Sequence, residues 1–561
     1  MNNKRVFILF FIIIVVASLL RFWQLGQVPS SPDWDEASLG YNAYSIMQTG
    51  RDEYGKFMPL IMRSFDDYKP ALYVYFVIPF IKLLGLNVVS VRLPSVIFGI
   101  LTVIATYFLV IELFKNRGVL RLRSGQAHTQ KIALLTSFLL AISPWHIQFS
   151  RIAFESNVGL ALNVFGILFF LKGLKKPIWF LLSSFVFGMS FHIYQSEKVF
   201  LPLLFLVLLL IYRKEIVKIP KKYIISAGLL LLIILLPLFS FMLTNKEALA
   251  RARGVSVFSD QTPFLKDNVI RVARDKENND FLGIVLDNRR ILYAKSIVAG
   301  YMSHFDLNWL FITGDISRHH APGMGLLYLF ELPFLLIGIY VFIFNSNIFG
   351  LDKQSKLLII LWFLITPIPA SITSGVPHAV RTLNFLPTFQ IFTAFGILFA
   401  FRKISNLGYL RYLIFFSLSL FFIFNFSYYL NQYFVQQNYF NSQDWQYGYE
   451  DTVSFVDSQQ YKYSKIVVSN KPYLDQSYIF FLFYLKYPPA DYQKESLFAS
   501  GGFRENHKFG KFEFRPIDWN KEEKSENILY VGKPDDFPQN VKVIKEVNFL
   551  NGQPAIKIVE D

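Results

Sequence analysis

Apolar runs of nearly bilayer-crossing length recur along the first 430 residues of this chain, beginning with Val6 to Leu20, VFILFFIIIVVASLL. A helix needs about 20 apolar residues to span the hydrocarbon core, so a sequence with many such runs folds with lipid as part of its solvent. Of 561 residues, 53% are hydrophobic and only 17% charged, against roughly 25% charged in soluble domains. A soluble or disordered chain is thereby excluded. There is no Cys, which removes disulfides, thiolate metal sites and thiol catalysis. The formal charge of +16 reads as the excess of Lys and Arg that cytoplasmic loops of membrane proteins carry, not as a nucleic-acid footprint.

Charge sets the expected topology. Lys4 and Arg5 precede the first run and Trp23 follows it. This is the pattern of a retained first helix with a cytoplasmic amino terminus. The next apolar stretch, Ala71 to Leu86, is short and contains Pro79 and Lys82. Were it to span, the loop holding Lys115, Arg117, Arg121, Arg123 and Lys131 would face outward against the positive-inside rule. Laid along the outer interface as an amphipathic or re-entrant helix, it keeps that loop and every later basic loop inside. Spans are then expected near 93–113, 132–149, 223–242, 324–345, 357–372, 383–401 and 410–430, among about eleven in all. This gives an all-α transmembrane domain over residues 1–430, with a first outward loop at 21–92 and a long one at 244–320. Residues 431–561 return to a soluble composition, with runs such as KIVVSN, YIFFLFYL, KFEFRPI, ILYVG and AIKIVE. They read as a small extracytoplasmic α/β domain.

Ionisable residues are costly at mid-bilayer, so their gathering at one surface marks a working face. On this topology they gather outside: Asp33, Asp35, Glu36, Asp66, Asp67, Tyr68 and Lys69 in the first loop, then Arg151 and Glu155. His192, Tyr194, Glu197 and Lys198 follow in FHIYQSEK, then Arg318, His319 and His320 in SRHHAPG, and His378 and Arg381 in PHAVR. Each has a plainer reading. Asp35 is placed to cap a helix beginning near Ala37. Arg151 and Glu155 are spaced as an exposed helical pair. Lys198 and Arg381 suit interfacial anchors, and adjacent His319 and His320 make a poor metal pair. Taken together, carboxylates beside fixed cations over one cavity suit sugar transfer from a lipid phosphate. A carboxylate activates the acceptor hydroxyl, and cations stabilise the departing phosphate.

The segments WDEASLGYNAYSIMQTGRDEYGKFMPL, YKPALYVYF, GLNVVSVRLPSVIFG and SPWHIQFSRIAFESN resemble, in order, the motifs of the GT-C glycosyltransferases. The likeness is to the protein O-mannosyltransferase and lipid A aminoarabinose transferase superfamily (glycosyltransferase family 39-like). RHHAPGMGLLYLFELPFLLIG and PHAVRTLNFLP resemble later segments more weakly. The resemblance implies a GT-C fold with interfacial helices in the first outward loop. Asp35 is similar to the catalytic Asp, Glu36 to its acidic neighbour, and Glu155 to the second-loop acid. Lys69, Arg151 and Arg381 resemble phosphate ligands, and Tyr68, His192, Tyr194, His320 and His378 are candidate cavity residues. Ala71 and Tyr68 depart from the family pattern, where Pro and, in some members, Glu stand.

The expected function is therefore an inverting membrane glycosyltransferase moving one sugar from a polyprenyl-phosphate donor to a protein, lipid or glycan acceptor. The enzyme would work on the outer face of the plasma (inner) membrane. No metal ligand is assigned and no cofactor is obligatory, although a divalent metal is compatible. Membrane lipid is a partner and nucleic acid is not. A receptor whose exterior domain binds ligand is a further class, one that would leave the clustered acids and bases unexplained, and two other readings stand beside the transferase. One is an oligosaccharyltransferase moving a preassembled glycan, whose WWD-like motif is not evident. The other is a lipid-linked sugar transporter or flippase, which calls for mid-span charges and internal repeats. The basic residues Arg251, Arg253, Arg271 and Arg274 in the long outward segment suit either a lid over the donor, with a helix around Leu265 to Arg274, or equally a solvated basic loop near anionic lipid.

Overall fold

Where the sequence runs apolar, the chain is helical. The computed structural model describes residues 2–65, 67–114, 123–245, 254–259, 262–345, 351–495 and 506–560. Asp66, Lys115, Arg117, Arg121, Arg251 and Arg253 lie outside the described residues. Helix α1 (Asn3–Phe22) leads into α2 (Trp34–Thr49), a hairpin of β1 (Ile61–Ser64) and β2 (Asp67–Pro70), and the 13-residue α3 (Leu72–Leu84). Then come α4 (Val88–Leu113), α5 (Arg123–Ile142), α6 (Pro144–Arg151) and α7 (Glu155–Gly173). Next are α8 (Trp179–Phe191), α9 (Glu197–Ile216) and α10 (Lys221–Thr244).

Among the described residues seven helical stretches are long and apolar enough to cross a membrane: α1, α4, α7, α10, Lys353–Ser371, Leu383–Ile404 and Leu410–Asn441. The pair α5–α6, bent by 57°, makes an eighth. Helices α3, α8 and Glu331–Phe344 are apolar but shorter. The protein is thus a multi-pass membrane protein.

Two expected spans take a different form. The run 132–149 is broken, because Pro144 has no N–H with which to continue α5 and instead starts α6, whose His146 N–H is capped by Ser143 Oγ at 3.4 Å. The run 324–345 is helical only over Glu331–Phe344, its PGMGLLYLF approach being in turns. That helix crosses the helix Thr388–Ile404 backbone to backbone. A Cβ on Gly338 would lie 1.8 Å from the Phe392 carbonyl oxygen, and one on Gly396 would lie 1.8 Å from that of Phe334. Small residues allow this approach where lipid offers no hydrophobic drive between helices.

Beyond residue 431 the chain builds a mixed six-stranded sheet. Its strands are β3 (Lys465–Val468), β4 (His507–Phe509), β5 (Phe512–Phe514), β6 (Ile528–Gly532), β7 (Lys542–Asn548) and β8 (Pro554–Glu560), in the order β4-β5-β3-β6-β8-β7. β3 pairs in parallel with β5 and β6, and the outer pairs are antiparallel. YIFFLFYL forms the buried helix Ser477–Tyr484, which packs on α2 in one continuous hydrophobic cluster. The contact is close, since a Cβ on Gly40 would fall 2.6 Å from the Phe483 ring. Tyr41 Oη donates to the Tyr487 carbonyl at 3.1 Å, and Gln493 Nε2 to Ser45 Oγ at 3.0 Å and the Asp52 carbonyl at 2.9 Å. The first loop and the carboxyl-terminal unit therefore hold each other.

Candidate active site

The α2 amino terminus is set by Asp33, not Asp35. The Asp33 Oδ1 accepts the Glu36 N–H at 2.9 Å, and its Oδ2 accepts from Arg318 Nη1 at 2.8 Å. The Arg318 guanidinium lies over the Trp34 ring at 5.0 Å. Burial raises the Asp33 carboxyl to about 6, with the Arg318 cation opposing the rise. With the cap supplied two residues earlier, Asp35 in the first turn faces the cavity. There Lys69, at the end of the hairpin, donates its Nζ to Asp35 Oδ1. The Asp35 side chain is 28% exposed and that of Lys69 is 12% exposed. Burial by itself would lower Lys69, but the carboxylates of Asp35 and Glu155 outweigh it and hold the amine above its ordinary value, as a cation.

Glu155 is the first residue of α7 and is buried beside this pair. The three groups, with Tyr194, Arg318 and His378, line a cavity of about 170 Å³. A second and larger groove of about 450 Å³ adjoins it, sharing Tyr194 and Gln195. Its walls are mainly apolar, including Met242, Phe258 and Ile372, and Lys198 and Arg381 stand in it. Arg381 Nη1 donates to Thr373 Oγ1 at 2.5 Å and to the Ser374 carbonyl at 2.7 Å. Lys198 Nζ donates to Gln195 Oε1 at 2.6 Å, and Gln195 Nε2 to the Tyr68 carbonyl at 2.8 Å. Part of the 244–320 segment closes the groove: Ser256 bridges to Thr373, and the Val257 N–H donates to the Ile372 carbonyl at 3.2 Å. The helix expected around Leu265 to Arg274 spans Thr262–Glu277, and Arg271 in it lies 3.9 Å from Asp287.

Several residues marked in the sequence lie elsewhere. Glu36 is 2% exposed and makes a two-pronged pair with Arg92, receiving Nε at 2.9 Å and Nη2 at 2.8 Å, and also accepts the Ala153 N–H at 2.8 Å. It joins α2 to α4 and the α6–α7 turn and does not line the cavity. Arg151 is fully buried and spends its donors on the carbonyls of Leu20, Arg21, Gln24 and Val28 at the end of α1, with its guanidinium over Phe434 at 4.9 Å. Both of its terminal nitrogens are thereby committed, and Arg151 lines neither the cavity nor the groove. His192 is tied through Nε2 to the Ile234 carbonyl of α10 at 2.9 Å. His320 is turned away through Nδ1 to the Ala321 carbonyl at 2.7 Å. The Tyr68 carbonyl holds Gln195, but its ring packs on the helix core.

His319 and His378, both marked in the sequence, line the cavity together with Gln195, and they meet Asp315; sequence reading selected neither Gln195 nor Asp315. Asp315 Oδ2 accepts the Ala379 N–H at 2.5 Å and lies 3.0 Å from His319 Nδ1. His319 and His378 stand ring to ring at 5.2 Å. The spacing of Asp315 and His319, four apart, was the available signal, and Gln195 beside Lys198 had none.

Residues 68–241 match the family described as dolichyl-phosphate-mannose-protein mannosyltransferase. No curated protein matches the sequence. Among solved structures, the chain is similar to ArnT from Cupriavidus metallidurans bound to undecaprenyl phosphate, at 11% identity and a TM-score of 0.53, over 100% of this chain and 98% of that one. The apo form of ArnT gives a TM-score of 0.54. It is also similar to the oligosaccharyltransferase AglB from Archaeoglobus fulgidus in complex with an inhibitory peptide and a dolichol-phosphate, at 12% identity and a TM-score of 0.50, over 95% of this chain and 70% of that one. Against the form of that archaeal enzyme tethered to an acceptor peptide, the chain spans 63% of its length. At identities of 11–12% these likenesses show a shared fold.

Proposed function

We propose that this chain, a membrane protein of GT-C glycosyltransferase fold with a segment similar to the mannosyltransferase family, moves a monosaccharide from a polyprenyl phosphate to an acceptor on the outer face of the membrane. One observation carries the reading: the Asp35–Lys69 pair and Glu155 share a small polar cavity that opens into an apolar groove containing two further cations. A polar reaction chamber next to an apolar channel is what a sugar on a lipid tail requires. The small volume favours one sugar over a preassembled glycan. The lipid bound to ArnT and the dolichol-phosphate bound to AglB support the donor class.

In this mechanism Asp35 accepts the proton of the acceptor hydroxyl as its oxygen attacks the anomeric carbon. The anomeric carbon–phosphate oxygen bond breaks from the opposite side, inverting configuration, and its electron pair leaves with the lipid phosphate. A positioned base contributes on the order of 10²–10⁴ in rate. Lys69 holds Asp35 ionised and aimed, and stands near enough to share the phosphate charge as it develops. Arg381 and Lys198 receive the phosphate at the mouth of the groove. Glu155 keeps a second acid opposite Lys69 and contacts the sugar or acceptor. The amino terminus is cytoplasmic and the carboxyl-terminal unit outside, in the plasma (inner) membrane, where that unit presents the acceptor.

The test adds labelled polyprenyl-phosphate sugars to membranes containing the chain or its Asp35→Asn form. Label should pass to a protein, lipid or glycan fraction only with the unaltered chain. Equal labelling by both forms removes Asp35 from the mechanism, and no labelling with any lipid-linked monosaccharide refutes the transferase reading.

A further inference from the structure

Two histidines of the cavity wall, and an aspartate grouped with them, are not used by sugar transfer. One ligand atom from each of Asp315, His319 and His378 lies within 4.8 Å of the others. They come from separate parts of the chain: Asp315 and His319 end the long outward segment, and His378 sits in the turn between the helices Ile368–Ser371 and Thr388–Ile404. His378 Nδ1 is buried and has no hydrogen-bond partner among the described residues. An orphaned ring nitrogen in such a place is costly unless something binds it. Its backbone is held, the N–H donating to His304 Nε2 at 3.1 Å, while His304 Nδ1 donates to the Gly300 carbonyl at 2.7 Å. The ring is thus presented by a braced backbone, with its Nδ1 lone pair uncommitted.

We propose that Asp315, His319 and His378 bind one divalent transition metal of the zinc class, in the wall of the cavity beside Asp35. Two imidazoles and one carboxylate form a donor set that suits zinc, whereas magnesium and calcium take oxygen ligands almost alone. Bonds of about 2.0–2.2 Å place tetrahedral ligands roughly 3.3 Å apart, so the cluster closes by small side-chain rotations when the ion enters. Three protein ligands leave a fourth position, and His319, His378 and Arg318 all line the cavity, so that position opens toward the substrates. The ion ties residues 315–319 to the turn that carries Arg381. It thereby fixes Arg318 on Asp33 and the shape of the chamber. This inference is independent of the transferase reading, because it concerns binding of the ion alone.

The experiment uses the full chain in detergent with any affinity tag removed, stripped with a chelator and titrated with Co²⁺ and Zn²⁺. One Co²⁺ per chain should bind with the visible absorption of a four-coordinate site, and Zn²⁺ should displace it. His378→Ala and His319→Ala should each weaken binding at least tenfold, while Asp35→Asn binds as the parent chain does. X-ray absorption of the zinc-loaded parent chain should show two imidazoles and mixed nitrogen and oxygen ligation, a readout that does not depend on either variant folding. Substoichiometric binding, an absorption spectrum with one imidazole or none, or undiminished affinity in folded His319→Ala and His378→Ala would overturn the site.

Discussion

Asp35 and Glu36 are neighbours in sequence, yet the structure gives them opposite consequences when neutralised. In Glu36→Gln the carboxylate that accepts Arg92 Nε, Arg92 Nη2 and the Ala153 N–H becomes an amide with one acceptor oxygen. Arg92 is fully buried and has no water to turn to. Its remaining partners are the carbonyls of Leu25, Pro29 and Ser31, which solvate the cation without neutralising it. Breaking a buried pair by removing one partner costs about 3–5 kcal/mol, so Glu36→Gln should lower the melting temperature in detergent substantially. Asp35→Asn changes a side chain that is 28% exposed and leaves Lys69 still facing the Glu155 carboxylate, so it costs less than breaking the fully buried pair. Its thermal stability should stay close to the parent's while transfer falls by about 10²–10⁴. Melting by intrinsic fluorescence and transfer of labelled sugar, read on the same preparations, separate the two. A Glu36→Gln protein as stable as its parent, or an Asp35→Asn protein destabilised to the same extent, would refute the assignment of one acid to the frame and the other to the chamber.

Three further outcomes follow from other parts of the molecule. Lys69→Ala should reduce transfer about tenfold to a hundredfold through loss of a fixed cation, with donor KM raised more than acceptor KM; unchanged donor dependence in initial rates would exclude a phosphate role. Gly338→Ala forces a methyl to within 1.8 Å of the Phe392 carbonyl oxygen, so it should cost about 1–3 kcal/mol by overpacking, and an unaltered melting temperature would show that these helices do not touch. His507 stacks on Tyr478 at 3.5 Å, and burial, aided by Arg63, lowers its ring to about 3. A depressed His is neutral in the fold, so its contribution is intact above about 6.5 and declines as pH falls toward about 3. Roughly 2 kcal/mol should be lost by pH 5, and His507→Phe should flatten that part of the stability–pH profile measured by denaturation.

The sequence by itself determined the membrane class, the helical runs and the polar face. These are local properties: run length, charge bias and the order of a few short motifs. The strands KIVVSN, ILYVG and AIKIVE and the helix Thr262–Glu277 were legible for the same reason. What each ionisable side chain meets is not a local property. Asp35 and Glu36 point about 100° apart on a helix, and only the packing of α4 behind α2 decides that Glu36 finds Arg92 while Asp35 finds Lys69. Arg151 reads like a phosphate ligand until the last turn of α1 and the turns after it deliver four carbonyls to it. Asp315, His319 and His378 become one cluster only because the end of a long loop folds against a turn more than fifty residues later. A buried charge or ring nitrogen takes its function from whichever partners tertiary contacts bring within a few ångströms, and that distance is set by the whole bundle.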